Sequence, residues 1–158
     1  MKAAIPSRKK ITGTFNHDEL ERLNDKTLLA VLATSSQDKP YTSLIAYAYD
    51  AGEKVFIFLT PEKTTKYSNM ISNPSVSLLI DTRENSQRDY MSGEAYTVLG
   101  EARSLKEGRR QNDLLQTFLK KHPGLSDFSK EKGVALIQVS INYCFKVGRF
   151  QEVRELSA

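Results

Sequence analysis

Residues 28–60 read LLAVLATSSQDKPYTSLIAYAYDAGEKVFIFLT. Three runs rich in apolar, β-branched and aromatic residues, Leu28–Thr34, Tyr41–Tyr49 and Lys54–Thr60, alternate with polar turns at Ser35–Pro40 and Asp50–Gly52. Runs of this length bounded by Asp, Pro and Gly read as strands and turns. The first run is nearly all apolar, the pattern of a strand buried on both faces. The second and third are separated by a turn too short for a crossover helix, so they pair as an antiparallel hairpin. A doubly wound α/β fold does not fit this spacing.

The flanking sequence extends the pattern. Upstream, Asn16 reads as the N-cap of a short helix that ends before Lys26. Glu19 is its capping-box partner, and Phe15 with Leu20 forms a hydrophobic staple. Downstream, Thr64–Asn73 places Tyr67, Met70 and Ile71 at helical spacing and stops at Pro74. Val76–Ile80 and Glu94–Arg103 read as strands on either side of a polar loop, Arg83–Ser92. Ser104 and Glu107 form a second capping box, ahead of a helix carrying Leu114, Leu115, Phe118 and Leu119. Lys120, Lys121 and His122 complement its C-terminal dipole, and Pro123-Gly124 ends it. The last strand has the clearest period. Ile137, Val139, Ile141, Tyr143, Phe145 and Val147 alternate with Gln138, Ser140, Asn142, Cys144 and Lys146, so one face is buried and the other is polar or lines something wet. The whole reads as a mainly β protein, an antiparallel barrel of about six strands with small helices.

A chain of 158 residues suits one domain. The expected organisation is a basic tail at 1–14, the barrel domain at 15–150 and a C-terminal tail at 151–158. Hydrophobic residues make up 39% and charged residues 27%, which argues against disorder. No apolar run approaches the ~20 residues that span a bilayer, and the N-terminus lacks the apolar stretch of a secretory signal. The single cysteine, Cys144, excludes an intramolecular disulfide and a cysteine-based metal site. A cytoplasmic protein with no membrane partner is expected. The net charge of +4 comes from Lys2, Arg8, Lys9 and Lys10, and the remainder is balanced. The charge therefore describes a tail, and no nucleic-acid partner is expected.

The chemistry available to such a chain is limited. It has no glycine-rich phosphate loop of either common kind. Its two histidines, His17 and His122, sit at helix ends, which argues against hydrolytic triads and histidine-rich metal sites. Any catalysis would rest on a borrowed cofactor. The best local candidate is Thr60-Pro61-Glu62-Lys63-Thr64-Thr65-Lys66, where a strand runs into a helix. Free amides, the positive end of the helix dipole, hydroxyls and an ammonium meet there, as a phosphomonoester requires. The same residues also read as a plain helix start, with Thr64 or Thr65 capping and Lys66 solvated.

Beyond these local readings, LLAVLATSSQDKPYTSLIAYAYD and KVFIFLTPEKTTKYSNMISNPSVSLLID, followed by TVLGEARSL, resemble the pyridoxamine 5′-phosphate oxidase-like FMN-binding split-barrel superfamily. The likeness is densest over Pro40–Asp81 and extends over roughly residues 20 to 150. It implies a homodimeric split β-barrel with FMN bound between subunits. It implies that Thr65 and Lys66 hold the FMN phosphate, and that Ser43, Leu44, Ile45, Ala46, Leu59 and Thr60 run beside phosphate, ribityl chain and flavin edge. Arg83 or Asn85 would lie over the flavin. A dimer is also expected from the residues, because Leu28–Ala33 and Ile137–Val147 offer more apolar strand face than one barrel interior covers, unless the helices cover it all.

The sequence departs from the family in two places. The Arg-x-His pair that holds substrate near the C-terminus of the vitamin B6 oxidases is missing, with Arg149 the nearest substitute. Ser43 stands where the family often has a phosphate-binding arginine. The expected function is a flavin-dependent redox protein, an oxidoreductase of an unnamed small substrate that does not oxidise pyridoxamine 5′-phosphate. The alternatives are a non-catalytic flavin or haem carrier or sensor, and an unliganded scaffold. Haem would need an axial ligand.

Overall fold

The structure, a computed structural model, describes residues 12–14, 16–148 and 152–157. Strand β1 (Thr12–Thr14) and helix α1 (His17–Lys26) lead into the segment quoted above. Asn16 caps α1 as expected, but its side chain accepts from the amide of Asp18 (3.0 Å), and Glu19 turns its carboxylate to Lys146 instead of closing a capping box. Phe15, the other half of the expected staple, lies outside the described residues.

Gln37 and Asp38 both take positive φ, 51° and 59°. That is the two-residue turn whose twist matches paired strands. It joins β2 (Leu29–Ser36) to β3 (Lys39–Ala46) with Leu32 opposite Ser43 and Val31 opposite Leu44. The run Tyr41–Tyr49 is not one strand. The amide of Tyr47 donates to the Leu28 carbonyl (3.3 Å) and its carbonyl accepts from Nε2 of His122 (2.7 Å), so the chain changes partner at this residue. Beyond it, β4 (Ala48–Asp50) makes the expected hairpin with β5 (Val55–Pro61).

Helix α2 (Thr65–Ser72) returns the chain to β6 (Ser75–Asp81), which pairs with β2. The expected polar loop follows and contains one turn of helix, α3 (Asp89–Ser92). Then β7 (Glu94–Ser104) pairs with β6 and β8 (Val134–Gly148) pairs with β7. Because β8 also pairs with β5, and β4 continues β3, six strand positions close into the expected antiparallel barrel. Three further strands bring the sheet to nine. One is β4, and the others come from the presumed tails: β9 (Glu152–Ser157) pairs with β8, and β1 lies parallel to β9.

Helix α4 (Arg109–Lys121) begins four residues later than the Ser104 cap requires. Ser104 is still in the β7 ladder opposite Ile137, and the Leu105 amide bonds to the Leu136 carbonyl. Strand pairing therefore claims the residue, and α4 starts after Gly108 with no side-chain cap. A 3-10 turn (Pro123–Leu125) and α5 (Ser126–Ser129) complete the helices.

The barrel interior is filled by Leu32, Ile45, Phe56, Phe58, Leu78, Ile80, Val98 and Val139, with Leu20 and Leu23 of α1 packed into the same cluster. A second cluster lies outside the barrel wall, where Leu114 and Phe118 of α4 cover Val55, Ile57 and Leu136. The first strand run is not buried on both faces: Ala30, Leu32 and Thr34 point inward, while Leu29 is 48% exposed on the outer face.

The alternation of β8 reverses partway along. Leu99 pairs with Tyr143 but Gly100 pairs with Ile141, so Asn142 is an extra residue, a β-bulge. A one-residue insertion exchanges the two faces of everything beyond it. Hence Ile137 and Val139 are buried as expected, but past the bulge Cys144 is the buried residue and Tyr143 is 48% exposed. The bulge also divides the partners of β8: Val134–Ser140 pair with β5, and Tyr143–Gly148 pair with β9.

Gly100 makes the bulge possible. A Cβ there would lie 2.0 Å from the Ser140 carbonyl oxygen and 2.9 Å from Cγ1 of Val139. Gly100→Ala should destabilise the fold by about 1–3 kcal/mol, the usual cost of overpacking. A urea midpoint unchanged from wild type would show that the bulge relaxes without penalty.

His122 supplies a pH test. A carbonyl only accepts, so its Nε2 carries the proton that bonds to Tyr47. Burial pushes the imidazole below its ordinary 6.5, with Lys121 adding to the shift, and these outweigh the opposing hydrogen bond. Burial and Lys54 lower His17 as well. As pH falls through 6.5 the unfolded chain takes up these protons before the folded one, so stability should fall from that pH down to the folded values. His122→Gln, whose amide can still donate to Tyr47, should flatten part of that decline. Equal slopes of urea midpoint against pH in both proteins would remove His122 from the account.

Candidate functional site

The strand-to-helix turn between β5 and α2 is built by its threonines. Thr64 is the N-cap: its hydroxyl donates to the Pro61 carbonyl (2.8 Å) and accepts from the Tyr67 amide (3.3 Å). Thr60, fully buried, lies 3.3 Å from it, oxygen to oxygen. Of the two capping readings, Thr64 is the one realised. That leaves Thr65 exposed in the first turn, and the amides of Thr65 and Lys66 have no acceptor among the described residues. Lys66 is half-buried and makes no ion pair among them.

Helix α2 is fixed in place from behind. Asn69 donates to the Thr34 hydroxyl and Asn73 to the Ser35 hydroxyl, each at 3.1 Å, and Met70 enters the core. Ser43 faces the same side of the β2–β3 hairpin as Thr34. Its hydroxyl is buried and has no hydrogen-bond partner, the one such side-chain atom among the described residues. A buried polar group left unmatched costs about 1–3 kcal/mol.

The opposite face of the hairpin forms the floor of an open groove of about 1160 Å³. Leu28, Leu29, Val31, Leu44 and Leu79 line it, and the loop after β6 forms its rim. Asp89 braces that loop by accepting from the amides of Glu84 (2.9 Å) and Ser86 (3.1 Å), which holds its carboxyl below the usual range. Arg83 stands on the rim, paired with Asp81 at 3.0 Å. Asn85 lines the same groove.

The residues singled out in the sequence thus fall into three places. Thr60, Thr65 and Lys66 meet at the turn. Leu44 and Arg83 share the groove. Ile45 is in the core, and Ala46 and Leu59 pack into the cluster under α4, so their side chains are occupied structurally. Both histidines are engaged elsewhere: Nδ1 of His17 with the Tyr49 hydroxyl, and His122 with the Tyr47 carbonyl. Neither lines the groove. Sequence reasoning missed Lys146 and Glu94, which face one another at 3.3 Å near the end of the barrel. The strand period placed Lys146 on the face that is polar or lines something wet, opposite the core, and the bulge turns it toward the barrel interior.

No group of His, Cys, Asp and Glu among the described residues could hold a metal ion. None of their helices is long and apolar enough to cross a membrane.

Over residues 17–147 the sequence matches the family model described as pyridoxamine 5′-phosphate oxidase. A pyridoxamine 5′-phosphate oxidase homolog of Schizosaccharomyces pombe is 30% identical over 126 residues, 72% of this chain and 66% of that protein. The chain therefore spans just under two thirds of that relative. A heme binding protein from Mycobacterium smegmatis superposes with a TM-score of 0.77 at 14% identity, covering 92% of this chain and 59% of that one. A FAD-binding protein from Mesorhizobium loti gives 0.66 at 15% identity, over 85% and 95% of the two chains. At such identities the likeness to both is one of fold. The closed six-strand core, the divided β8 and the match over most of the chain together establish that this protein belongs to the pyridoxamine 5′-phosphate oxidase family and has its split-barrel fold.

Proposed function

We propose that this protein binds FMN and works as a flavin-dependent oxidoreductase of a small substrate, as a homodimer. The observation that carries the reading is the turn Thr60–Lys66. It offers an ammonium and two amides that have no partner among the described residues, with the exposed Thr65 hydroxyl, at the N-terminus of a helix that is anchored to the sheet. A phosphomonoester dianion supplies the matching acceptors. The apolar floor at Leu44 and Leu79 suits a flat aromatic ring, with the Arg83 guanidinium at its rim.

Bound FMN would supply hydride and electron transfer. The chain's part is to hold it: Lys66 and Thr65 at the phosphate, Leu44 against the ring, Arg83 over the edge. A haem carrier sharing this fold would need an axial ligand, and both imidazoles are committed away from the groove. That favours flavin.

The dimer reading rests on the outer face of the sheet. Leu44 (65% exposed), Leu29 (48%), Leu79 (37%), Leu99 (37%) and Tyr143 (48%) lie on adjacent strands β3, β2, β6, β7 and β8. Helix α4 covers only the part of the wall made by β4, β5 and the start of β8. An apolar sheet face of this extent is what a second copy of the chain would bury.

Lys66→Ala should weaken FMN by about 1.5–3 kcal/mol, the range for hydrogen bonds to charged groups, and leave riboflavin affinity nearly unchanged. Flavin-fluorescence titration measures both, and equal losses would put the phosphate elsewhere. For the dimer, Leu44→Asp with Leu79→Asp should convert it to monomer, since like charges facing each other across an interface cost several kcal/mol. Wild-type protein that sediments as a monomer with flavin bound would refute the assembly.

A further inference from the structure

Helix α1 presents Glu19, Arg22, Leu23 and Lys26 along one face, the three- and four-residue spacing of a helix. Leu23 is 3% exposed and anchors that face against the barrel. Opposite it stand Glu94, Tyr96 and Lys146, and the two sides enclose a pocket of about 270 Å³. Lys146 belongs to it only because the Asn142 bulge turns the end of β8 inside out. Its Nζ lies 3.3 Å from Glu94, 3.5 Å from Glu19 and 5.3 Å from the centre of the Tyr96 ring.

The charges of this pocket do not balance. Lys146 is matched by the two carboxylates. Arg22 and Lys26, one helical turn apart and exposed, make no ion pair among the described residues. The pocket therefore keeps two uncommitted cations and a net positive charge. It also opens toward the groove, because Lys26, Thr82 and Glu94 line both.

We propose that this pocket binds the carboxylate or phosphate end of a small organic anion between Arg22 and Lys26, with Lys146 as the inner cation. The rest of such a molecule reaches the groove past Thr82. The anion site stands on its own residues; that its occupant is the substrate of the redox reaction rests on the flavin reading above. Glu94 is the internal competitor, since its carboxylate already occupies Lys146.

The test uses the full chain saturated with FMN, succinate as the probe, and amide chemical shifts of Arg22, Lys26 and Thr82 as the readout. Succinate should bind saturably without displacing the flavin. Arg22→Ala with Lys26→Ala should weaken succinate about tenfold or more, as expected for losing charge-assisted hydrogen bonds. Both residues are exposed, so the fold should be kept, and an unchanged thermal midpoint verifies this. Glu94→Gln should tighten succinate severalfold by removing the nearer of the two carboxylates that hold Lys146. Unsaturable wild-type shifts, wild-type affinity in the double variant, or weaker binding in Glu94→Gln would each overturn the proposal. If FMN does not bind but succinate behaves as expected in the flavin-free protein, the flavin reading falls and the anion site stands. If FMN binds and succinate does not, the anion site alone falls.

Discussion

Where Gly100 has no side chain, the carbonyl of Ser140 takes the space. Much of the distinctive geometry of this barrel depends on that close approach. It admits one extra residue into β8, and the ladder beyond it runs with its faces exchanged. Before the bulge β8 pairs with β5 and helps close the barrel; after it, β8 pairs with β9. The same exchange puts Cys144 into the core, where burial pushes its thiol up to about 12 and leaves it inert. It carries Tyr143 to the outer face and Lys146 to the inner one. A single backbone contact thus bears on the exposed outer face of the sheet and on the charged pocket together.

Tyr47 is the second fixed point. Its hydroxyl bonds with Thr27 (2.7 Å), its amide with Leu28 and its carbonyl with His122, while Lys121 stands 3.8 Å over its ring. Burial pushes the Lys121 ammonium down to about 8, and a hydrogen bond to Asn24 of α1 (2.9 Å) holds it. Through this one residue α1, α4 and the β3–β4 junction are tied together. Both histidines belong to this structural frame, which leaves the site to hydroxyls, amides and cations.

Electrostatic contrast separates frame from site. Arg110 pairs with Glu53, Arg83 with Asp81, and Lys146 with two glutamates. Lys66, Arg22 and Lys26 are left without counter-ions among the described residues. Exposed ion pairs add little stability, so the pairing itself is a weak guide. The unpaired cations are more informative where backbone amides or an enclosing pocket converge on them, because several donors there point at one small volume.

Much of this was legible in the sequence, for identifiable reasons. Strand and helix positions follow from local periodicity and turn residues, which is why Gln37-Asp38, the Thr64 cap and Pro74 were readable as boundaries. The ordered set of motifs from Leu28 to Asp81 carried the family, and the turn Thr60–Lys66 was readable as a candidate anion site, since a strand running into a helix exposes amides whatever the rest of the fold does. What could not be read depends on contacts between distant residues. Ser104 looked like a cap until Ile137 claimed it for the ladder. Tyr47 looked like mid-strand until His122 took its carbonyl. The inside and outside of β8 past Asn142 were decided by a glycine some forty positions earlier. A period of two specifies alternation along a strand, but only the register against its neighbour decides which set faces the core.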